Sequence, residues 1–330
     1  MKYRDLGNSG LQISEITFGA WAIGGWMWGG ADRADAIAAI NKCLDLGITT
    51  FDTAPVYGFG VSEEIIGEAL AGKRQEVQIL TKYGLVWDNS SGDIHMASKD
   101  NEGKDINIHK HASKKSIIRE CEDSLKRLKT DYIDLYQIHW PDKTTPIEES
   151  MEAVYQLMKE GKVKAAGVSN YNAEQMKQAN EAIPLASNQV PYSMVLRNIE
   201  KDVVPYSVEN NIGILAYSPL QRGLLTGKIT KDYKFEEGDH RPSTPHFKPE
   251  NLEKVNNFLQ KIKPIADDKG ASLAQLVIYW TIHQPGITSA LVGARNPKQV
   301  EENAKAVEFD FTKDDLEDIN NQLDKLRLNL

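Results

Sequence analysis

The sequence predicts an α/β protein, a (β/α)8 TIM barrel with an N-terminal β-hairpin cap and long mouth loops. Three observations carry that expectation. Short β-branched apolar runs recur along the 330 residues, amphipathic helical stretches separate them, and no linker or shift of composition divides the chain. Alternation of this kind marks parallel strands joined by crossover helices, and eight such units close a barrel. The length exceeds that of an ordinary domain but is normal for a barrel, so one domain is expected over residues 1–330.

The barrel strands are expected at residues 16–19, 49–53, 77–81, 132–138, 163–168, 187–190, 213–216 and 289–292. Apolar residues at three- and four-residue spacings predict helices between them, among others at 34–46, 62–70, 116–128, 147–160 and 173–182. Residues 2–6 and 11–13 flank the turn sequence Asn8-Ser9-Gly10, so a small hairpin should cap the barrel floor. Residues 84–113 are polar and rich in Asn, Asp, Ser, Lys and His, which predicts a long loop with no element of its own. Residues 235–249, with three prolines, read as a second loop.

Hydrophobic residues at 41% and charged residues at 26% are ordinary for a globular chain and argue against disorder. A formal net charge of −8 leaves no general basic field for nucleic acid or anionic lipid, so any phosphate site must be local. Lys114-Lys115 and Lys126-Arg127 read as solvated helix faces. Cys43 and Cys121 fall in helical stretches without metal-ligand spacing and are expected to be reduced. The opening MKYRDLGN has no apolar core of a signal peptide, and the apolar stretch 17–30 is broken by glycines, so no membrane span and a cytoplasmic location are expected. His95, His109 and His111 share the long polar stretch, but their spacing matches no metal site, and no metal is expected.

In such a barrel the working residues sit at the carboxyl ends of strands or in the loops that follow. Four positions deliver polar groups there: Asp52 near the end of GITTFDTAPVYG, Tyr57 five residues on, Lys82 after VQILT, and His139 after DYIDLYQI. An isolated Asp at a strand end is usually a loop hydrogen-bonding group, and an isolated Tyr or Lys usually lies at the surface. Joint placement of all four on one face favours a site. A Rossmann phosphate loop is absent, because Gly58-Phe59-Gly60 is followed by Val-Ser-Glu and breaks the GxGxxG pattern.

Six ordered segments, FDTAPVYGFGVSEEIIGEAL, ILTKYG, SLKRLKTDYIDLYQIHWPD, GKVKAAGVSN, ILAYSPLQRGLLTGK and GARNPKQVEENAK, resemble the aldo-keto reductase family across almost the whole chain. The likeness is nearest to bacterial stress-associated and inositol-operon-type members and more distant to potassium-channel beta subunits. It implies that Asp52, Tyr57, Lys82 and His139 form a catalytic tetrad. Hydride delivery to a carbonyl leaves an alkoxide, so Tyr57 is expected to donate the proton, with Lys82 supporting the phenol, Asp52 pairing with Lys82, and His139 positioning the carbonyl. Two departures from the family pattern stand out: Ser193, where asparagine is common, and Ala165-Ala166, where an Arg-containing pair is usual.

The resemblance further implies an NADP(H) cofactor and where it would lie. Trp21 and Asp52 are expected near it; Ser169, Asn170 and Gln189 at the nicotinamide amide; Tyr217 against the ring. Ser218, Pro219, Leu220, Arg222, Gly223 and Lys228 are expected around the pyrophosphate, with Arg241 as a further contact. Gly293, Arg295, Gln299, Glu302 and Asn303 should hold the adenosine end, where a helix beginning near Pro297 points its amides. Arg295 is expected to bind a 2′-phosphate; the alternative is a surface ion pair with Glu301 or Glu302. For Gln189 and Tyr217 the alternative is packing at the barrel mouth.

Of six tryptophans, Trp21, Trp26, Trp28, Trp87 and Trp140 follow barrel strands, and Trp280 is expected in the core. Trp26 and Trp140, with Tyr57 and His139, are expected to contact substrate; for Trp28 and Trp87 loop packing competes. The expected partner is a small carbonyl compound or sugar. Two other functions fit the same residues: a sugar or polyol dehydrogenase working in the oxidative direction, and a cofactor-bound regulatory subunit. The second would be marked by a long partner-binding extension, whereas the first barrel strand is expected at residue 16.

Overall fold

The computed structural model describes residues 1–27, 31–235, 239 and 241–330. Trp28, one of the aromatic candidates, lies outside them. In chain order the elements begin with β1 (Tyr3–Asp5), β2 (Gln12–Ser14), β3 (Ile16–Gly19), α1 (Arg33–Asp45), β4 (Thr50–Asp52), α2 (Val61–Ala69) and β5 (Gln78–Tyr83). There follow β6 (Leu85–Val86), β7 (Asp93–Lys99), β8 (Asp105–Lys110), α3 (Lys114–Leu128), β9 (Ile133–Ile138), α4 (Ile147–Lys159), β10 (Val163–Ser169), α5 (Ala173–Ala182) and β11 (Leu185–Pro191). The chain ends with α6 (Val203–Glu209), β12 (Gly213–Tyr217), α7 (Pro249–Asp268), α8 (Leu273–Ile282), β13 (Ile287–Gly293), α9 (Pro297–Ala304) and α10 (Lys313–Leu323).

Strands β3, β4, β5, β9, β10, β11, β12 and β13 close an eight-stranded parallel barrel in sequence order, as expected. Each is followed by a helix whose buried stripe packs on it; α1 turns Ala36, Ala39, Ile40 and Cys43 inward, and Asp32 caps its start by accepting from the amides of Ala34 and Asp35. The β1–β2 hairpin pairs antiparallel and closes the floor, its Leu6 and Ile13 buried with Leu80, Leu135, Leu215 and Leu291 inside the barrel. Cys43 and Cys121 are buried free thiols, and Trp280 is fully buried on Tyr192. No helix among the described residues is long and apolar enough to cross a membrane.

Three expectations need correction. The stretch 84–113 is not a bare loop: β6, β8 and β7 form a three-stranded antiparallel sheet over the barrel mouth. Its strands alternate, with Ile106 and Ile108 turned one way in DINIHK, but one face is solvated, so composition hid a period of two. The turn is fixed by Asp100, which accepts from the amides of Glu102 and Lys104, and by the Lys99–Asp105 ion pair. Second, the stretch 235–249 holds two short 3-10 turns, Arg241–Ser243 and Pro245–Phe247. Third, Arg127 is no solvated helix charge: its guanidinium reaches the fully buried Glu63 at 2.6 Å and helps tie α3 to α2.

Candidate active site

The four tetrad candidates meet at the carboxyl end of the barrel because neighbouring strands deliver them. β4 ends on Asp52, β5 carries Lys82 in register with Gln137 of β9, and His139 follows β9, its amide donating to the Tyr83 carbonyl. Tyr57 comes from the turn after β4, which packs backbone against backbone on the turn after β3. A Cβ on Gly58, whose φ is +65°, would lie 1.9 Å from the Gly24 carbonyl oxygen, so only glycine fits this crossing.

Lys82 Nζ donates to Asp52 Oδ1 at 2.6 Å and to the Thr53 carbonyl at 2.8 Å, and lies 3.5 Å from the Tyr57 hydroxyl. Its side chain has 0% exposure, so the charge is accepted only because the carboxylate accompanies it. The other oxygen of Asp52 accepts from Gln189 Nε2 at 2.7 Å and from Gln137 Nε2 at 3.4 Å. The His139 ring stands edge-on to Tyr57 with centroids 5.6 Å apart, and Trp21 stacks on Tyr57 with centroids 5.8 Å apart.

Burial sets the protonation states. It pushes the Tyr57 phenol well above its ordinary range, with the Asp52 charge adding to the effect, so Tyr57 is a neutral O–H donor at neutral pH. The Lys82 ammonium is lowered by burial and partly restored by Asp52. His139 is held well below the ordinary imidazole range, first by burial and then by Lys82 and His95. It is a neutral ring that donates from one nitrogen.

One cavity of about 590 Å³ runs from this cluster outward to α9. Every residue expected to touch cofactor or substrate lines it; of the tetrad candidates only Lys82 does not, standing behind Tyr57 and Asp52. Asn170, at φ +61°, donates to the His139 carbonyl and accepts from the Tyr217 hydroxyl at 2.9 Å, which fixes both walls. Beyond Tyr217 the backbone turns left-handed at Ser218, Gln221, Arg222 and Gly223, bending the chain around the cavity. Arg222 is half-buried there, its guanidinium lowered first by burial, and Arg241 donates to its carbonyl at 3.2 Å. Arg241 itself is held by Asp239. At the outer end Gln299 accepts from the Arg295 amide, and Glu301 pairs with Lys42 at 3.2 Å.

This donor set fits a nicotinamide dinucleotide. Amide-bearing side chains sit beside the buried phenol, a strained loop and the cations Arg222, Lys228 and Arg241 follow, and Arg295 comes last before a helix N-terminus. The cavity volume is also in the range of small-molecule and cofactor sites, roughly 300 to 1,000 Å³.

Several lining residues escaped the sequence reading. His95 and Met96 of β7 reach the cavity, as do Met27 and Leu85. Gln137, fully buried near the end of β9 and two residues before His139, does not line the cavity but reaches Asp52, and the sequence expectations did not include it. No period of two marks His95, because the β7–β8 register shifts between Ile94 and Met96 and brings both His95 and Met96 to the cavity. Trp87 does not line the cavity and packs edge-on to Phe59 at 5.2 Å, which favours loop packing. The three histidines of the hairpin region part ways: His95 lies against Trp140, His109 faces the Gly92 carbonyl, and His111 bonds Ser113. Ser193 donates to Gln221 at 3.3 Å, behind the left-handed loop.

Residues 15–324 match the model of the aldo/keto reductase family. The chain is 41% identical over 327 residues to aldo-keto reductase YhdN of Bacillus subtilis (strain 168), covering 98% of this chain and 94% of that protein. It is 36% identical over 318 residues to the NADH-specific methylglyoxal reductase of Escherichia coli (strain K12), covering 94% and 95% respectively. The solved structure of the glycerol dehydrogenase AKR11B4 from Gluconobacter oxydans superposes with a TM-score of 0.89 at 39% identity, over 99% of this chain and 96% of that one. With the barrel, the buried Asp–Lys pair beside Tyr57 and the full-length match agreeing, the chain belongs to the aldo/keto reductase family and is an oxidoreductase of the kind that uses a nicotinamide cofactor on small carbonyl compounds.

Proposed function

We propose that this protein reduces a small aldehyde or ketone to the alcohol with NADPH, Tyr57 giving the proton to the carbonyl oxygen. The observation that carries the reading is the Tyr57 hydroxyl, neutral and buried, 3.5 Å from Lys82 Nζ at the foot of the cavity. When bound, the reduced nicotinamide supplies the hydride. Tyr57 O–H and the neutral His139 ring donate to the carbonyl oxygen and hold it for attack. As negative charge develops on that oxygen, Tyr57 releases its proton to it, and the C–O group leaves as an alcohol. The tyrosinate formed is held by Lys82, whose charge Asp52 keeps in place against burial. Gln189 and Gln137 fix Asp52, while Trp21, Trp26 and Trp140 wall the substrate and exclude water.

Loss of NADPH absorbance with glyceraldehyde, methylglyoxal and aromatic aldehydes tests the reading. Tyr57→Phe should lower kcat by about 10²- to 10⁴-fold, the usual contribution of a general acid, while NADPH affinity by fluorescence titration changes less than about twofold. Wild-type turnover in Tyr57→Phe sinks the proton-donor role. Because one relative is named NADH-specific, both cofactors are compared; a wild-type preference for NADH overturns the NADPH assignment.

A further inference from the structure

The hairpin over the mouth brings the cavity a residue that the reaction above does not use. β7 and β8 are anchored at fixed points: Trp26 Nε1 donates to Ser98 Oγ at 2.9 Å, and Asn101 Nδ2 to the Gly58 carbonyl at 2.9 Å, one residue from Tyr57. Leu85 and Ile108 are buried with Ala54, Val56 and Tyr57, and Met96 packs on the same cluster. The sheet is therefore fastened to the wall that positions Tyr57.

His95 projects from this sheet onto Trp140, ring centroids 5.2 Å apart and planes tilted by 39°. His95, Trp140 and His139 line the same cavity, and His95 is near enough to His139 to lower its basicity, so His95 stands beside the place where the carbonyl oxygen is held. Around the substrate end of the cavity the indole nitrogens of Trp21, Trp26 and Trp140 can only donate, and that of Trp26 is committed to Ser98. Of the described lining residues given neither to the tetrad nor to the cofactor, His95 and Thr226 can both donate and accept, and Thr226 is engaged by Gly223 and Lys228. His95 makes no hydrogen bond with another described residue, so both ring nitrogens are left for a ligand. Burial and then Lys110 lower its basicity, which keeps the ring neutral with one donor and one acceptor.

We propose that His95 is a specificity-determining residue that hydrogen-bonds a second substrate oxygen beside the reacting carbonyl, selecting α-hydroxy and α-oxo carbonyl compounds over plain alkyl aldehydes. The assignment rests on the reductase reading for its first test. The bond is formed in the ground and transition states alike, so its loss raises KM for the oxygenated substrate.

Lactaldehyde and propanal differ by the one hydroxyl in question. The ratio of their kcat/KM values is measured in wild type, His95→Ala and His95→Gln; comparing ratios between variants cancels the intrinsic reactivity of the two aldehydes. His95→Ala should cut the lactaldehyde-to-propanal ratio by about tenfold or more, the worth of one well-placed hydrogen bond in a buried site, and His95→Gln should restore part of it. An unchanged ratio, or equal losses on both substrates in both variants, overturns the assignment. A wild type that turns over neither aldehyde sinks the reductase reading instead. In that case tryptophan fluorescence titration with propane-1,2-diol against propan-1-ol still decides: a diol preference lost in His95→Ala supports the site, and no preference in wild type refutes it.

Discussion

At the foot of the cavity Lys82 has no solvent exposure and is held by a carboxylate, a carbonyl and a phenol. At its outer end Arg222 and Arg295 are only half-buried, the first on left-handed backbone and the second with its amide donating to Gln299 Oε1. The two ends ask different things of the fold. Buried charges at the foot must be paired for the protein to fold at all, so geometry and stability there are one property. Cations at the outer end stand half-buried on the cavity rim rather than in the barrel interior, so a change there is expected to fall on affinity more than on the barrel. Substitutions at the foot should therefore move stability and turnover together, and those outside should move binding more than stability.

The largest expected effect breaks the foot. Lys82→Met leaves Asp52 a buried carboxylate with only the Gln189 and Gln137 amides, and removing one partner of a buried pair costs about 3–5 kcal/mol. Turnover should fall by about 10²- to 10³-fold, because the tyrosinate loses its counter-charge. Adding Asp52→Asn removes the orphaned charge, so the double variant should regain most of the stability in chemical denaturation while turnover stays low. If the single variant unfolds at the wild-type denaturant concentration, the foot is not held by this pair.

The same contrast governs what the sequence disclosed. Asp52, Lys82 and His139 stand at strand ends, where a period of two and the barrel rule locate them, so the foot was legible from residues alone. The outer end was reached only through family resemblance, because its shape depends on positive φ at Ser218, Gln221 and Arg222, residues with no composition that announces it. The hairpin was misread for a third reason. Asp93, Lys99, Asp105 and Asn107 face water and dominate the composition, while Met96 and Ser98 in β7 and Ile106 and Ile108 in β8 turn the other way at every second position. Gln137 was missed because a buried amide inside a strand looks like any interior polar residue until its carboxylate partner is known.

A smaller effect sharpens the outer end. Arg295→Ala should weaken NADPH by roughly tenfold to a hundredfold and NADH much less, since a charge-assisted contact to a phosphate is worth about 1.5 to 3 kcal/mol. Thermal stability should change less than it does at the foot, because Arg295 is half-buried at the rim and not inside the barrel. Fluorescence titration of both cofactors and a melting curve check the two halves of this expectation. Equal weakening of both cofactors would mean that Arg295 serves adenine or the loop rather than a phosphate.

The smallest effect on turnover is expected at Glu120, which joins the foot to the hairpin from behind. Its buried carboxyl accepts from the Gly84 amide at 2.8 Å, where β5 ends and the hairpin begins, and from Ser116 Oγ at 2.9 Å. Burial pushes it up to about 8, against the bonds from Gly84 and Ser116 and the nearby Arg119. A carboxyl raised in the folded state binds its proton more tightly there than in the unfolded chain, whose value is near 4.3. Its contribution is therefore full below that value and is lost as pH rises toward about 8, a slope of at most about 1.4 kcal/mol per pH unit. Glu120→Gln keeps a neutral acceptor for Gly84 and cannot ionise, so it should flatten the fall in melting temperature between about pH 5 and 8. The effect on kcat/KM should stay within about threefold, because no atom of Glu120 lines the cavity. A variant that keeps the wild-type slope would place the titrating group elsewhere. One that loses turnover would show that the Gly84 anchor reaches Lys82 along β5, and the division between foot and hairpin would have to be redrawn.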